Sequence, residues 1–478
     1  MKISFKNNIF QFLVLSSVFF IISFAKYNAL NATFFDLGQL IRNFHLIYIN
    51  DQLQHAIPSF SFIKILLSNI IILPDYLVIY VLLIIQSILL ALPIFFFNEK
   101  YFQDGIRLKY LYIFHFSVWY FAIFDFHVDI FVIPLYCLFF LFLVKKYYLY
   151  SFLVSLLFLT IKDIYILQSS ILILLIYIDS KNKNYIFVSL LIFIFFLFVV
   201  FYIQPISLKN LDFQSFISCK TYAECSSIKL SEFKIETLLI DPKKIIYISI
   251  LIFSFFSIKI VRLEVLLLIL PFLIILMLTK NSNYFSITNH YVLSFFFPLF
   301  FLPLKKTKSK NYLYLNFFNK FNSKFKIFYY VLIFNFLISP IFFSLPIFEK
   351  NFSSYSYKTY FIDERSEKIK SLINKYIPRD KSVILTTQNN LISNRVIFRT
   401  KVYSFPENIS NEVKSDRSEF ILVDLNKRPF LIDKTCKYKD FKCKDKKFLK
   451  KFNFNVKEIY KNYNVLVEYD NFIIFKHK

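Results

Sequence analysis

Phe124-Asp125-Phe126-His127-Val128-Asp129 is the stretch that decides how this chain is read. Two carboxylates and an imidazole alternate with apolar residues. The flanks, residues 110–123 and 130–144, contain no acidic residue, lysine or arginine. Such flanks predict two transmembrane helices, with Asp125, His127 and Asp129 in the turn between them. Ionisable groups that close to hydrocarbon are costly unless they are paired, metal-bound or facing a watery cavity. Taken alone, the stretch reads equally well as a hairpin tip solvated among lipid headgroups.

The composition agrees with a membrane protein. The chain has 478 residues, 57% of them hydrophobic and 21% aromatic, and its mean hydropathy is +0.54. The net charge of +26 accompanies an excess of Lys, Asn, Ile, Phe and Tyr, a bias that suggests an AT-rich genome. No ordered basic and aromatic pattern marks a nucleic-acid surface. With two glycines in all, Gly38 and Gly105 are expected where the backbone needs them.

Working outward, residues 9–25 are an apolar run behind a short basic start. No small-residue cleavage site follows, so the run reads as a retained first helix with a cytoplasmic N-terminus. Residues 26–58 read as a polar outer loop containing Phe35-Asp36-Leu37-Gly38. Leu37, Leu40, Ile41, Phe44, Ile47 and Tyr48 recur at helical spacing there. They predict an amphipathic helix along the membrane surface with Asp36 as its N-cap. Arg42 suits either a lipid phosphate or a headgroup, and His55, shortly before Pro58, is a loop histidine or a ligand.

Residues 58–73 read as interfacial or re-entrant and 77–97 as a span. Lys145-Lys146 and the pair Lys181, Lys183 mark cytoplasmic turns. Residues 147–178, interrupted only by Lys162-Asp163, must therefore enter the membrane and return. Two full spans need roughly 40 residues; this stretch is shorter, and so is 110–144. Both hairpins are expected to turn below the outer surface, with Lys162-Asp163 at the depth of the Asp125 group. Further spans at 184–203, 245–258, 263–278, a span headed by His290-Tyr291, and 328–348 alternate with basic clusters. The expectation is an α-helical polytopic domain, residues 1–348, with about 11 transmembrane helices and outer loops at 26–58 and 204–244.

The tail, residues 349–478, is expected to be a small extracytoplasmic α/β domain. Residues 363–376 place Ile369, Leu372, Ile373 and Tyr376 on one helical face, and Pro378 stops that helix. Residues 382–386 and 419–425 read as buried strands, and 465–469 with 472–476 as a hairpin around Asp470-Asn471. Cys219 with Cys225, and Cys436 with Cys443, are local pairs expected to form disulfides in an oxidising compartment, leaving Cys137 alone in a span.

In this topology Asp36, Arg42, His55, Asp125, His127, Asp129, Lys162, Asp163, His290 and Tyr291 all face outward. One-sided clustering favours a reaction centre at the outer surface. A transporter is expected to place polar groups near mid-bilayer on broken helices in repeated halves, and no such repeat is visible. Three classes stay open: a membrane enzyme, a transporter or flippase of an envelope lipid, and a non-catalytic envelope-assembly protein.

Phe35-Asp36-Leu37-Gly38, His55 before a proline, Phe124-Asp125-Phe126-His127, Lys162-Asp163 and His290-Tyr291 follow one another as in a family of prokaryotic polytopic predicted membrane proteins of unknown function. Residues 377–383 and 402–406 also resemble that family's outer domain. The FDFH and FDLG stretches are the specific part. Where the family commonly has Pro-Glu after FDFH, this chain has Val128-Asp129; where it commonly has Lys-Glu-Asp, Asp163 follows Lys162 directly. The layout is similar to that of the GT-C glycosyltransferases, which use polyprenyl-phosphate sugars at the outer face. That resemblance implies Asp36 as the general base toward the acceptor. It implies Asp125, His127 and Asp129 as holders of a divalent cation (Mg2+ or Mn2+) or of the donor phosphate. Lys162 and Arg42 are implied to offset the lipid phosphate, and His55, Asp163, His290 and Tyr291 to line the substrate site. The implied partners are a lipid-linked sugar donor and membrane lipids. Layout does not by itself fix activity.

Overall fold

The computed structural model describes chiefly residues 2–30, 61–97, 105–124, 126–203, 242–255, 263–278, 291–304, 324–348, 357–378, 382–388, 418–424 and 456–478, with short pieces between them. The chain is mostly helical. Among the described residues four stretches are long and apolar enough to cross a membrane: Asn7–Asn28, Leu77–Phe95, Asp163–Ser180 and Lys183–Ile203. Other apolar helices are shorter, because the chain breaks them. Residues 110–123, read as one run, are split at His115 into Gly105–Phe114 and Phe116–Ile123. Two compact units are present, one of residues 1–23, 56–64 and 82–357, the other of 24–55, 65–81 and 358–478.

In the first unit the helices Tyr148–Leu157 and Asp163–Ser180 form an antiparallel hairpin centred on Lys162. The Ser169 hydroxyl donates to the Ser155 carbonyl across it at 2.7 Å. Ser170 and Ser189 exchange hydroxyl-to-carbonyl bonds of 2.9 Å, pinning Asp163–Ser180 to Lys183–Phe198. Small hydroxyl residues of this kind let apolar helices approach closely and supply the polar adhesion that hydrocarbon cannot. Phe187, Leu190, Ile194 and Phe198 lie exposed on the last of these helices, as expected where the surrounding solvent is lipid. With glycine so scarce, lysines take the left-handed turn positions: Lys146 and Lys181 both have φ of 61°. Gly105 is buried at the start of a helix, and no described glycine has positive φ. A two-residue antiparallel pair, β1 (Ile260–Val261) with β2 (Leu313–Tyr314), completes this unit's strands among the described residues.

The second unit contains a mixed sheet. Its strands are β3 (Leu385–Thr387), β4 (Val402–Ser404), β5 (Phe420–Asp424), β6 (Tyr463–Tyr469) and β7 (Phe472–His477), in the order β4-β3-β5-β7-β6. β3 pairs in parallel with β4 and β5, and β7 runs antiparallel to β5 and β6. The expected strands and hairpin are present. β4, at three residues, is too short to announce itself by alternation. The β6–β7 turn places Asp470 and Asn471 at φ of 41° and 62°, the left-handed pair whose twist matches a two-residue hairpin. Helix Glu364–Tyr376 packs Ile369 and Ile373 into the core of this sheet. Its Arg365 grips Asp424 with two bonds of 3.0 and 2.8 Å and reaches the Asp470 carboxylate at 2.6 Å. Burial works against the Arg365 charge, yet the bonds to Asp424 and Asp470 hold its guanidinium above the ordinary value.

The end of the first long helix belongs to this second unit. Leu30 has φ of 53°, a conformation that costs a leucine roughly 1–2 kcal/mol. Its side chain is buried in the cluster formed by Ile369, Ile373, Leu385, Phe420 and Phe472, and burying a leucine contributes about 1.5–3 kcal/mol. Packing thus holds a leucine where glycine would ordinarily end a helix. Leu37, Leu40, Ile41, Phe44 and Ile47 are helical and buried while Tyr48 is exposed, so the stripe read from the sequence is the protein-facing one.

Candidate functional site

The site begins with the way a short helix is ended inside an apolar bundle. Phe116–Ile123 stops at Phe124, which turns to extended backbone. The last carbonyls of a helix have no partner within it, and no aqueous solvent is close at hand in an apolar interior. Gln86 meets that need, donating to the carbonyls of Phe121 at 3.2 Å and Phe124 at 3.0 Å. The Ser23 hydroxyl donates to the carbonyl of Ala122. The next residues alternate: Phe126 and Val128 are buried, and His127 between them is partly exposed. A 3-10 turn, Val128–Phe131, then leads into helix Val132–Val144.

Asp129 in that turn is fully buried. Its carboxylate is paired with His127 Nδ1 and lies 4.0 Å from the Lys162 ammonium. Lys162 arrives from the other hairpin tip, in extended conformation, as the N-cap of Asp163–Ser180. Its Nζ lies 5.3 Å from the centre of the Tyr291 ring, and the His127 ring meets Tyr291 edge-on at 6.4 Å. Tyr291 begins helix Tyr291–Phe296 and stacks on Phe295, which stacks on Phe272 at 4.3 Å. Three segments far apart in sequence, at residues 127–129, 162 and 291, thus converge on one buried carboxylate.

Asp163 is buried, and its Oδ1 accepts from the Ile164 amide at 2.9 Å, the place where a carboxylate complements the positive end of a helix. Asp36, Arg42, His55, Asp125, His290, Cys219, Cys225, Cys436 and Cys443 lie outside the described residues. Cys137 is a buried free thiol.

Several residues of the neighbourhood were not singled out from the sequence. The Tyr165 hydroxyl lies beside Asp129 and Ser294. Tyr165 follows Lys162, and Ser294 follows Tyr291, by three positions, the spacing that puts both members on one helical face; that was the available signal. Gln86 stands out as an amide in a stretch otherwise almost wholly apolar.

A divalent cation takes six or more oxygen ligands. The described donors amount to His127 and Asp129, already paired with each other, with an ammonium at the same carboxylate. Among the described residues no three His, Cys, Asp or Glu gather to hold a metal. Asp125, the third residue of the expected cation set, lies outside the described residues. Asp129 is a carboxylate balanced by one lysine and one imidazole.

Against known proteins, the model of one family, described as predicted membrane protein (DUF2079), matches residues 60–472. The chain belongs to that family. The matched span includes His127, Asp129, Lys162, Asp163 and Tyr291 and begins after Asp36, Arg42 and His55. No curated protein and no solved structure matches the chain. Family membership makes it a membrane protein and brings no activity with it.

Proposed function

We propose that this membrane protein is a glycosyltransferase that takes sugar from a polyprenyl-phosphate-linked donor at the outer face of the cytoplasmic membrane. The observation that carries the reading is Lys162, an ammonium kept among apolar helices beside Tyr291 and the buried Asp129. A cation held there suits the phosphate of a lipid better than a freely soluble ligand, because the lipid brings its own apolar tail into the bundle. Asp129 and His127 hold that cation in place. In the reaction an acceptor hydroxyl oxygen attacks the anomeric carbon, the bond from that carbon to the phosphate oxygen breaks, and the electron pair leaves on the phosphate beside Lys162. The acceptor's proton passes to the Asp36 carboxylate, the general base by resemblance to the GT-C enzymes. The same reading gives about eleven membrane crossings, a cytoplasmic N-terminus and an extracytoplasmic C-terminal domain.

A second reading, a transporter or flippase of an envelope lipid, is favoured by the helix break at His115. Both ring nitrogens of this buried histidine meet serine hydroxyls, Ser117 at 2.7 Å and Ser254 at 3.1 Å, and broken helices line transport sites.

The purified protein in lipid nanodiscs, given polyprenyl-phosphate sugars and an acceptor lipid extract, separates the two. Glycolipid product is expected from the natural chain and is expected to vanish in Asp36→Asn, with membrane insertion unchanged. Near-normal product from that variant removes the base. Lipid translocation without any new glycosidic bond moves the assignment to the second reading.

A further inference from the structure

We propose that Lys100, Tyr101 and Lys145 form a binding site for the phosphate of an anionic phospholipid. The site stands at the opposite end of helix Val132–Val144 from the Asp129 turn. Lys100 and Tyr101 follow the stretch Leu77–Phe95, which is long and apolar enough to cross a membrane. Lys145 and Lys146 follow helix Val132–Val144 directly. Four buried rings bring the two chain ends together. Phe97 and Phe102 each meet Phe301, at 6.1 and 5.8 Å, and Phe301 stacks on Phe140 at 4.3 Å.

Tyr101, next to Phe102, is half-buried, and the ammonium groups of Lys100 and Lys145 lie 5.6 and 6.0 Å from the centre of its ring. A lysine closing a helix complements its negative end and extends toward the headgroups, and that accounts for Lys145. It does not account for Lys100, which comes to the same ring from another segment. One ring draws in a cation weakly and does not neutralise two. An anion between the lysines completes the arrangement, and Lys146 adds a third exposed positive charge at the same helix end. Basic pockets between the ends of membrane helices take anionic headgroups in this way. The surroundings favour a lipid over free phosphate: Leu149 and Leu153 are exposed on helix Tyr148–Leu157, which starts just after Lys146, and offer acyl chains a flank.

Native mass spectrometry of the full-length protein, titrated with phosphatidylglycerol or with phosphatidylcholine, tests this. The natural chain is expected to prefer the anionic lipid. Lys100→Gln with Lys145→Gln is expected to weaken phosphatidylglycerol binding about tenfold and to leave phosphatidylcholine binding as it was. Lys100→Arg with Lys145→Arg is expected to keep the natural preference. Lys181→Gln with Lys183→Gln removes the same charge at another turn and is expected to change nothing. Natural binding by the Lys100 and Lys145 glutamine pair overturns the proposal. So does an equal loss in both glutamine pairs, which is diffuse attraction between charges. Displacement of the lipid by excess inorganic phosphate overturns the choice of a lipid. Should the double variant not fold, Lys100→Gln alone is read in the same way, with about a threefold loss expected.

Discussion

At the scale of the residue, the decisive fact is that Asp129 carries no exposed surface and Lys162 sits 4.0 Å from it. A buried ion pair adds little net stability over apolar residues of the same volume. Removing one partner is costly, because the other charge is left behind. Lys162→Met is therefore expected to destabilise the protein by about 3 kcal/mol, with His127 still at the carboxylate to keep the loss from growing further. Asp129→Asn added to it should recover a good part. Unfolding of the four proteins in detergent micelles gives the coupling, and two single effects that simply add would sink the pairing. The chemistry-bearing residues at 127, 129, 162 and 291 were legible from sequence, because polar groups amid hydrocarbon-grade sequence stand out. Tyr165, whose hydroxyl lies beside Asp129, was not, since tyrosine is common in apolar helices and only the fold shows which one meets a carboxylate.

At the scale of the element, short helices that end within the bundle need side chains from elsewhere to finish them. Gln86 does this for Phe116–Ile123. Gln86→Leu keeps the volume but leaves two carbonyls without their donor, and a cost of about 1–3 kcal/mol is expected. Faster hydrogen exchange should appear first in the turn at residues 124–131, which Gln86 holds. Exchange that rises only at distant helices would mean that Gln86 serves packing alone. Helix positions could be read from apolar length, and the hairpin turn at Lys162 from its lone charged pair. The break at His115 could not. A single histidine barely lowers the hydropathy of its run, and the groups that stabilise the break, Ser254 and Asn335, come from 139 and 219 residues further along. Such long-range satisfaction leaves no local pattern.

At the scale of the whole molecule, the question is on which side of the membrane each end lies. The stretch Asn7–Asn28 is long and apolar enough to cross, and its far end is bonded to Ser366 and Lys370. In the proposed topology this helix crosses, and its two ends lie on opposite sides of the membrane. Seven lysines lie between residues 305 and 326, in the stretch before the last apolar helix of the membrane domain. In the proposed topology the positive-inside tendency puts them in the cytoplasm, together with the basic start of the first helix. A reporter inserted at Lys308 is therefore expected in the cytoplasm and one appended at Lys478 outside, as read by reagents that cannot cross the membrane. Should both label from the same side, either the first helix does not cross or the basic cluster does not mark the inside. In that case the outward placement of His127, Asp129, Lys162 and Tyr291 loses its footing, and a donor presented at the outer face cannot be their substrate.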